Sequence, residues 1–143
     1  MAKPPSDATA RAIDRVVALL DARCTDSLDL RALSREAHLS PSHVIRLFRA
    51  RFFETPHRYL VRRRIERARE LLATTDMPVT DICLDVGFES LGTFSTLFSR
   101  LVGWSPSVYR ARVLEQRAHP RRYIPGCFWT MYGFGDTTNP RDD

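Results

Sequence analysis

The sequence predicts an all-α fold of seven helices. They form two helix-turn-helix units joined by a long central helix, and an aromatic-rich, non-helical C-terminal tail follows. Three observations predict this. Apolar residues recur at the i, i+3, i+4, i+7 spacing of one buried helical face through most of the chain. Three pairs, Ser40-Pro41, Thr55-Pro56 and Ser105-Pro106, join a capping hydroxyl to a residue preorganised for the first helical turn. Finally, the pattern of apolar and capping residues repeats at a shift of roughly fifty residues.

The elements follow in order. The first helix is expected from about Arg11 to Arg23, with Ile13, Val16, Val17 and Leu20 on its buried stripe. A short second helix, Leu30 to Ala37, starts at the capping carboxylate of Asp29 and turns Leu30, Leu33 and Ala37 inward. Leu39 sits in a tight turn. The Ser40-Pro41 signal then opens a third helix to about Phe52, burying Val44, Leu47, Phe48 and Phe52. Thr55-Pro56 opens the fourth and longest, which runs to about Ala73 with Val61, Ile65, Ala68 and Leu72 inside. Pro78 starts a fifth, carrying Val79, Ile82, Cys83 and Val86, and Gly87 ends it. Ser90 caps a sixth, in which Phe94, Leu97, Phe98 and Leu101 point inward, and Gly103 stops it. Ser105-Pro106 opens the seventh, which fades near Arg117. The corresponding division is a flexible N-terminus (residues 1–10), a double helix-turn-helix domain (11–117) and a tail packed on it (118–143).

The repeat carries the most weight. Leu30 and Leu33 fall on Val79 and Ile82, Leu39 on Phe88, Val44 on Phe94, and Leu47-Phe48 on Leu97-Phe98, with one extra residue in the second turn. Thr55, Pro56 and Tyr59 then match Ser105, Pro106 and Tyr109 at a constant offset. Each unit is a short helix, a tight turn and a second helix with its polar side free, the layout of a DNA-reading unit. A central helix of about 18 residues spans ~27 Å, enough to hold the two units near one duplex turn, ~34 Å, apart. Because the two second helices differ in sequence, the site they would read has no dyad symmetry.

Composition narrows the function classes. A net charge of +5 points to a polyanionic partner. The arginines gather at Arg46, Arg49, Arg51, Arg58, Arg62, Arg63, Arg64, Arg67 and Arg69, and arginine's planar fork suits phosphate. No apolar run approaches the ~20 residues of a membrane span, and residues 1–9 lack the apolar stretch of a secretory signal. The expected location is the cytoplasm, with no membrane partner. Cys24, Cys83 and Cys127 are odd in number and widely spread, so neither a disulfide framework nor a metal site is expected. Cys24 and Cys83 lie on apolar stripes and read as core residues. No paired carboxylates or nucleophile motif appear, so an enzyme, including a thiol enzyme or alkyl-acceptor repair protein built on Cys127, is disfavoured. No cofactor is expected.

The segment from Ala68 to Arg110 contains ARELL, MPVTDICLDVGFES and FSTLFSRLVGWSPSVYR. It resembles the signature of the AraC/XylS transcriptional regulators, and the likeness extends over roughly Ile13 to Arg112. The resemblance implies a seven-helix DNA-binding domain that reads double-stranded DNA from its third and sixth helices while contacting RNA polymerase. Carried over by position, the first reading set is Ser42, His43, Ile45 and Arg46, with Arg49 nearby. Arg46 is the candidate for bidentate bonding to guanine, or else for a phosphate contact. Ile45 would meet a thymine methyl or pack, and His43 suits a phosphate or structural role. The second set is Gly92, Thr93, Ser95 and Thr96, with Arg100 as a phosphate candidate. These small residues suit close approach, phosphate contacts and shape readout, so specificity is expected to lean on the first unit. Arg64 and Arg110 are phosphate or structural candidates, with Asp81 or Asp85 as carboxylate partners in the structural case.

Phe53 departs from the family pattern, which has a glycine there. A left-handed cap costs a phenylalanine about 1 kcal/mol or more, so a different turn or local burial of Phe53 is expected. The chain has no room before Arg11 for the sensing or dimerising domain that many members carry. Control is therefore expected to lie in abundance or in the tail. That tail places Tyr123, Ile124, Phe128, Trp129, Met131, Tyr132 and Phe134 in one short stretch around Cys127. Packing back on the helices is the first expectation, and a homodimer or partner interface the second. The alternative function is accordingly a partner-binding or effector-sensing regulator acting through this tail, whereas the leading one needs only a monomer on DNA.

Overall fold

A computed structural model describes residues 6–119, and within them all regular structure is helical. The helices are α1 (Asp7–Ala22), α2 (Leu30–Ala37), α3 (Pro41–Phe52), α4 (Pro56–Thr74), α5 (Val79–Asp85), α6 (Leu91–Val102) and α7 (Pro106–Ala118). The aromatic tail and Cys127 lie outside the described residues. Among the described residues, no helix is long and apolar enough to cross a membrane.

The predicted caps are made. Asp29 accepts from the amides of Arg31 and Ala32 at 3.0 and 3.1 Å. Ser40, Thr55, Ser90 and Ser105 each accept from the amide three residues on, at 3.2–3.4 Å. Each satisfies a donor that a helix start would otherwise leave orphaned. One boundary differs. The first helix begins at Asp7 rather than near Arg11, because Ser6 accepts from Thr9 N and caps an additional polar turn.

Two separate cores form along α4. Val16, Leu20, Leu33, Val44, Phe48, Tyr59 and Leu60 close the first, and Ile65, Leu72, Ile82, Val86, Phe88, Phe94 and Phe98 close the second. The repeat survives in their aromatic geometry. Phe48 meets Tyr59 edge-on at 5.5 Å, and fifty residues later Phe98 meets Tyr109 edge-on at 5.7 Å. Cys83 is buried, and burial pushes its thiol above the usual range; Cys24 packs half-buried against the first core. Leu101 corrects the sequence reading. It is 51% exposed, because the stripe of α6 outruns the core that would cover its last turn.

The turns repeat as well. His38 (φ 56°) and Gly87 (φ 95°) adopt the left-handed conformation, and the next residue's amide closes back onto the helix: Leu39 N to Ser34 O and Phe88 N to Cys83 O, both 3.0 Å. At the far end of each second helix, Phe53 (φ 58°) and Gly103 (φ 91°) also correspond. Phe53 therefore neither changes the turn nor finds local burial: it takes the left-handed cap, donating its amide to Arg49 O at 2.9 Å, with its ring 92% exposed. Since the ring gains nothing from packing, Phe53→Gly is expected to leave the domain as stable or to raise its stability by up to ~1 kcal/mol, the relief of left-handed strain being partly offset by a freer unfolded chain. Thermal unfolding checks this. A fall above that size would mean that the ring holds a contact.

Candidate nucleic-acid interface

The second helix of each unit turns one side to its core and leaves the other uncovered. On α3, Val44 and Phe48 face inward; Ser42, Arg46 and Arg49 are exposed, and His43 and Ile45 half-buried. On α6, Phe94 and Phe98 face inward; Gly92, Thr93, Thr96 and Arg100 are exposed, and Ser95 half-buried. Ser42, His43 and Arg46 share a shallow notch with the capping Ser40. Arg49 lies a turn beyond it.

The arginine cluster divides in two. On α4, Arg62 bonds Glu54 and Glu66 at 2.9 and 2.8 Å, Arg63 bonds Asp21 and Glu66 at 2.9 and 2.7 Å, and Arg67 approaches Asp85 at 3.9 Å. Arg51 on α3 pairs with Asp14 at 2.7 Å. Hydrogen bonds donated by Arg62 to Glu54 and by Arg63 to Glu66 raise both guanidinium pKa values. Burial works against the charge on Glu66, yet the bonds from Arg63 and Arg62 outweigh it and hold its carboxyl below the ordinary range. Arg46, Arg49 and Arg100, by contrast, meet no carboxylate and bond no group among the described residues. The free cations of these two helices thus lie on their uncovered sides, while much of the α4 charge is spent inside the fold.

Arg64 and Arg110 correct another expectation. Neither pairs with Asp81 or Asp85: Arg64 donates to the carbonyls of Cys24 and Asp26, and Arg110 to those of Leu72 and Met77. Both are structural ties. Two further basic residues, Arg31 and Arg35 of α2, escaped the sequence reading. They are exposed and line a groove with His38 and Pro41 beside the start of α3. Their place opposite Leu30, Leu33 and Ala37 was the available signal.

The helix starts differ chemically. Pro41 occupies the first turn of α3 and has no amide hydrogen, whereas α6 begins Leu91-Gly92, whose amides have no partner among the described residues. Among the described residues nothing needs Gly92 to be glycine, since an added Cβ would meet only Ser90 Oγ, at 3.7 Å. Gly92→Ala is therefore expected to leave unfolding unchanged or shift it up by no more than ~1 kcal/mol, while weakening duplex binding several-fold. Paired melting and binding curves test this, and unweakened binding would remove Gly92 from the interface.

Two matched half-domains on one helix, each with an uncovered second helix, define a tandem helix-turn-helix protein of the DNA-binding class. A family model described as a helix-turn-helix domain matches residues 33–112. The chain is 32% identical over 101 residues to the regulatory protein SoxS of Escherichia coli K12, covering 71% of this chain and 94% of SoxS. Other relatives are longer: the chain spans 32% of LumQ of Photobacterium leiognathi, at 37% identity over 78 residues, 54% of this chain. Among solved structures, an AraC-type transcriptional regulator of Chromobacterium violaceum superposes with a TM-score of 0.69 at 28% identity, over 78% of this chain and 96% of that one. The DNA-binding domain of the global transcriptional factor AdpA, solved with a target DNA, superposes with a TM-score of 0.68 at 28% identity, over 77% and 97%. The chain belongs to the AraC/XylS family of transcriptional regulators.

Proposed function

We propose that the chain regulates transcription by recognising an asymmetric duplex site, with α3 and α6 in successive major grooves and α3 supplying most of the discrimination. The observation that carries this is the pair of uncovered second helices on opposite halves of α4, whose 19 residues at ~1.5 Å each span ~28 Å. Arg46, exposed and without a carboxylate partner among the described residues, bonds a guanine edge. Ser42, His43 and Arg49 contact phosphates, and Ile45 borders a thymine methyl. The α6 surface works by close approach: Gly92 brings backbone amides to a phosphate, Thr93, Ser95 and Thr96 offer hydroxyls, and Arg100 adds a charge.

Two reading helices in one chain need no second copy, so the chain acts as a monomer on DNA. RNA polymerase is its further partner, and the cytoplasm its place of action. Regulators of transcription among its relatives support binding rather than catalysis as its role. A second reading has one observation in its favour. Leu101, Trp104, Val108 and Leu114 are exposed on α6, α7 and the turn between them, an apolar surface available to a partner. Under that reading, Trp104→Ser combined with Val108→Ser removes regulation and leaves DNA affinity intact, and deletion after Arg117 does the same if the partner is held by the tail.

Selection of bound sequences from a random duplex library tests the leading reading. Two conserved blocks centred about ten base pairs apart are expected, with affinity that falls steeply as salt rises. No enrichment, with binding lost to nonspecific competitor, would overturn it.

A further inference from the structure

We propose that Arg64 is a positioning residue: it clasps the two halves of the domain and thereby fixes the number of base pairs accepted between the two contact blocks. The inference rests on the two-groove reading above. Among the described residues the two cores share only α4, and the boundary between them falls between Leu60 of the first and Ile65 of the second. Arg64 stands at that boundary. Its Nε donates to Cys24 O at 2.6 Å and its Nη2 to Asp26 O, both in the α1–α2 loop of the first half. Its guanidinium carbon lies 5.8 Å from the ring centroid of Phe88, in the α5–α6 turn of the second half.

Gly87 closes the joint from the other side. A Cβ there would stand 2.5 Å from Thr25 O and 3.1 Å from Arg64 Nε, so the second turn lies directly on the first loop. Three segments distant in sequence thus meet at one side chain, beside an open cleft lined by Ser27, His57 and Thr93. Lysine cannot reproduce this tie, because one ammonium lacks the planar fork that serves two carbonyls while stacking on a ring.

Leverage turns the joint into specificity. With the readers ~34 Å apart, each lies ~17 Å from the centre of α4, and a 10° flexure there moves one of them by ~3 Å. That is close to the ~3.4 Å between successive bases. A loosened joint therefore admits neighbouring spacings that a tight one rejects.

The test compares the full chain with its Arg64→Lys and Gly87→Ala variants, each first shown by circular dichroism to keep native helicity. Random duplex selection reads the spacing between blocks. Dipolar distances between spin labels carried by non-natural residues at Ala50 and Leu101 read the angle between halves without DNA. The native chain is expected to select one spacing and give one narrow distance. The variants are expected to accept two or more adjacent spacings, bind the native consensus about tenfold more weakly and give a broadened distance. A folded Arg64→Lys chain with the native spacing and narrow distance would overturn the clasp. If the native chain selects no two-block site, the two-groove reading fails, and the label distances alone decide: broadening upholds the clasp and an unchanged distance overturns it.

Discussion

Phe98→Ala is expected to cost about 3–5 kcal/mol and to unfold the C-terminal half of the domain before the N-terminal half. Phe98 is fully buried and touches Phe94 and Tyr109, each with ring centroids 5.7 Å away, so truncation removes the centre of the second aromatic cluster. A loss of that size is a large share of the ~5–15 kcal/mol that holds a small domain together. The first core, built on Phe48 and Tyr59, shares no buried residue with the second. Amide exchange resolves the two halves. Fast exchange across α5 to α7, with protection retained in α1 to α3, is the expected pattern. Equal loss in both would show that the halves unfold as one unit. Phe48→Ala should give the mirror image.

Arg46→Ala is expected to weaken binding to the selected duplex by roughly 5- to 150-fold, the equivalent of the ~1–3 kcal/mol carried by a bidentate guanine contact. It should also erase the preference at one base position. The side chain is exposed on α3, in the notch that Ser40, Ser42 and His43 complete, and it has no partner to lose among the described residues. Stability should therefore stay within about 0.5 kcal/mol. Arg49→Ala provides the contrast: a uniform loss over all sequences and a shallower salt dependence. If selection with the Arg46→Ala chain returned the native consensus, Arg46 would be a phosphate contact instead.

Much of the fold is written locally. Ser40-Pro41, Thr55-Pro56 and Ser105-Pro106 mark three helix starts that the structure reproduces, because a cap and a proline act within one turn. The start of α1 escaped notice since its first turn, at Asp7, places no residue in the core and so leaves no periodic trace. Leu101 misled for the opposite reason: periodicity says which side of a helix is apolar, not how far the neighbouring core extends. The roles of the arginines depended on tertiary structure. Pairing of Arg62 with Glu66 is visible at i, i+4, but its bond to Glu54 and that of Arg63 to Asp21 are not. Nor could spacing reveal that Arg64 serves two carbonyls 38 and 40 residues away. The repeat located the second helix of each unit and so named the candidate reading residues, of which Ser42, Arg46, Arg49, Gly92, Thr93, Thr96 and Arg100 are exposed and His43, Ile45 and Ser95 half-buried.

Self-sufficient cores at the two ends of one stiff α4 bear on departure from DNA as well as arrival. On the two-groove reading, one end can lose its groove without disturbing the packing of the other, so escape is expected to proceed in two steps. During the interval the loose end remains tethered at an effective concentration of about millimolar or above, and recapture competes with complete release. Residence time on a full site should then exceed what either end achieves alone by far more than the added contacts suggest.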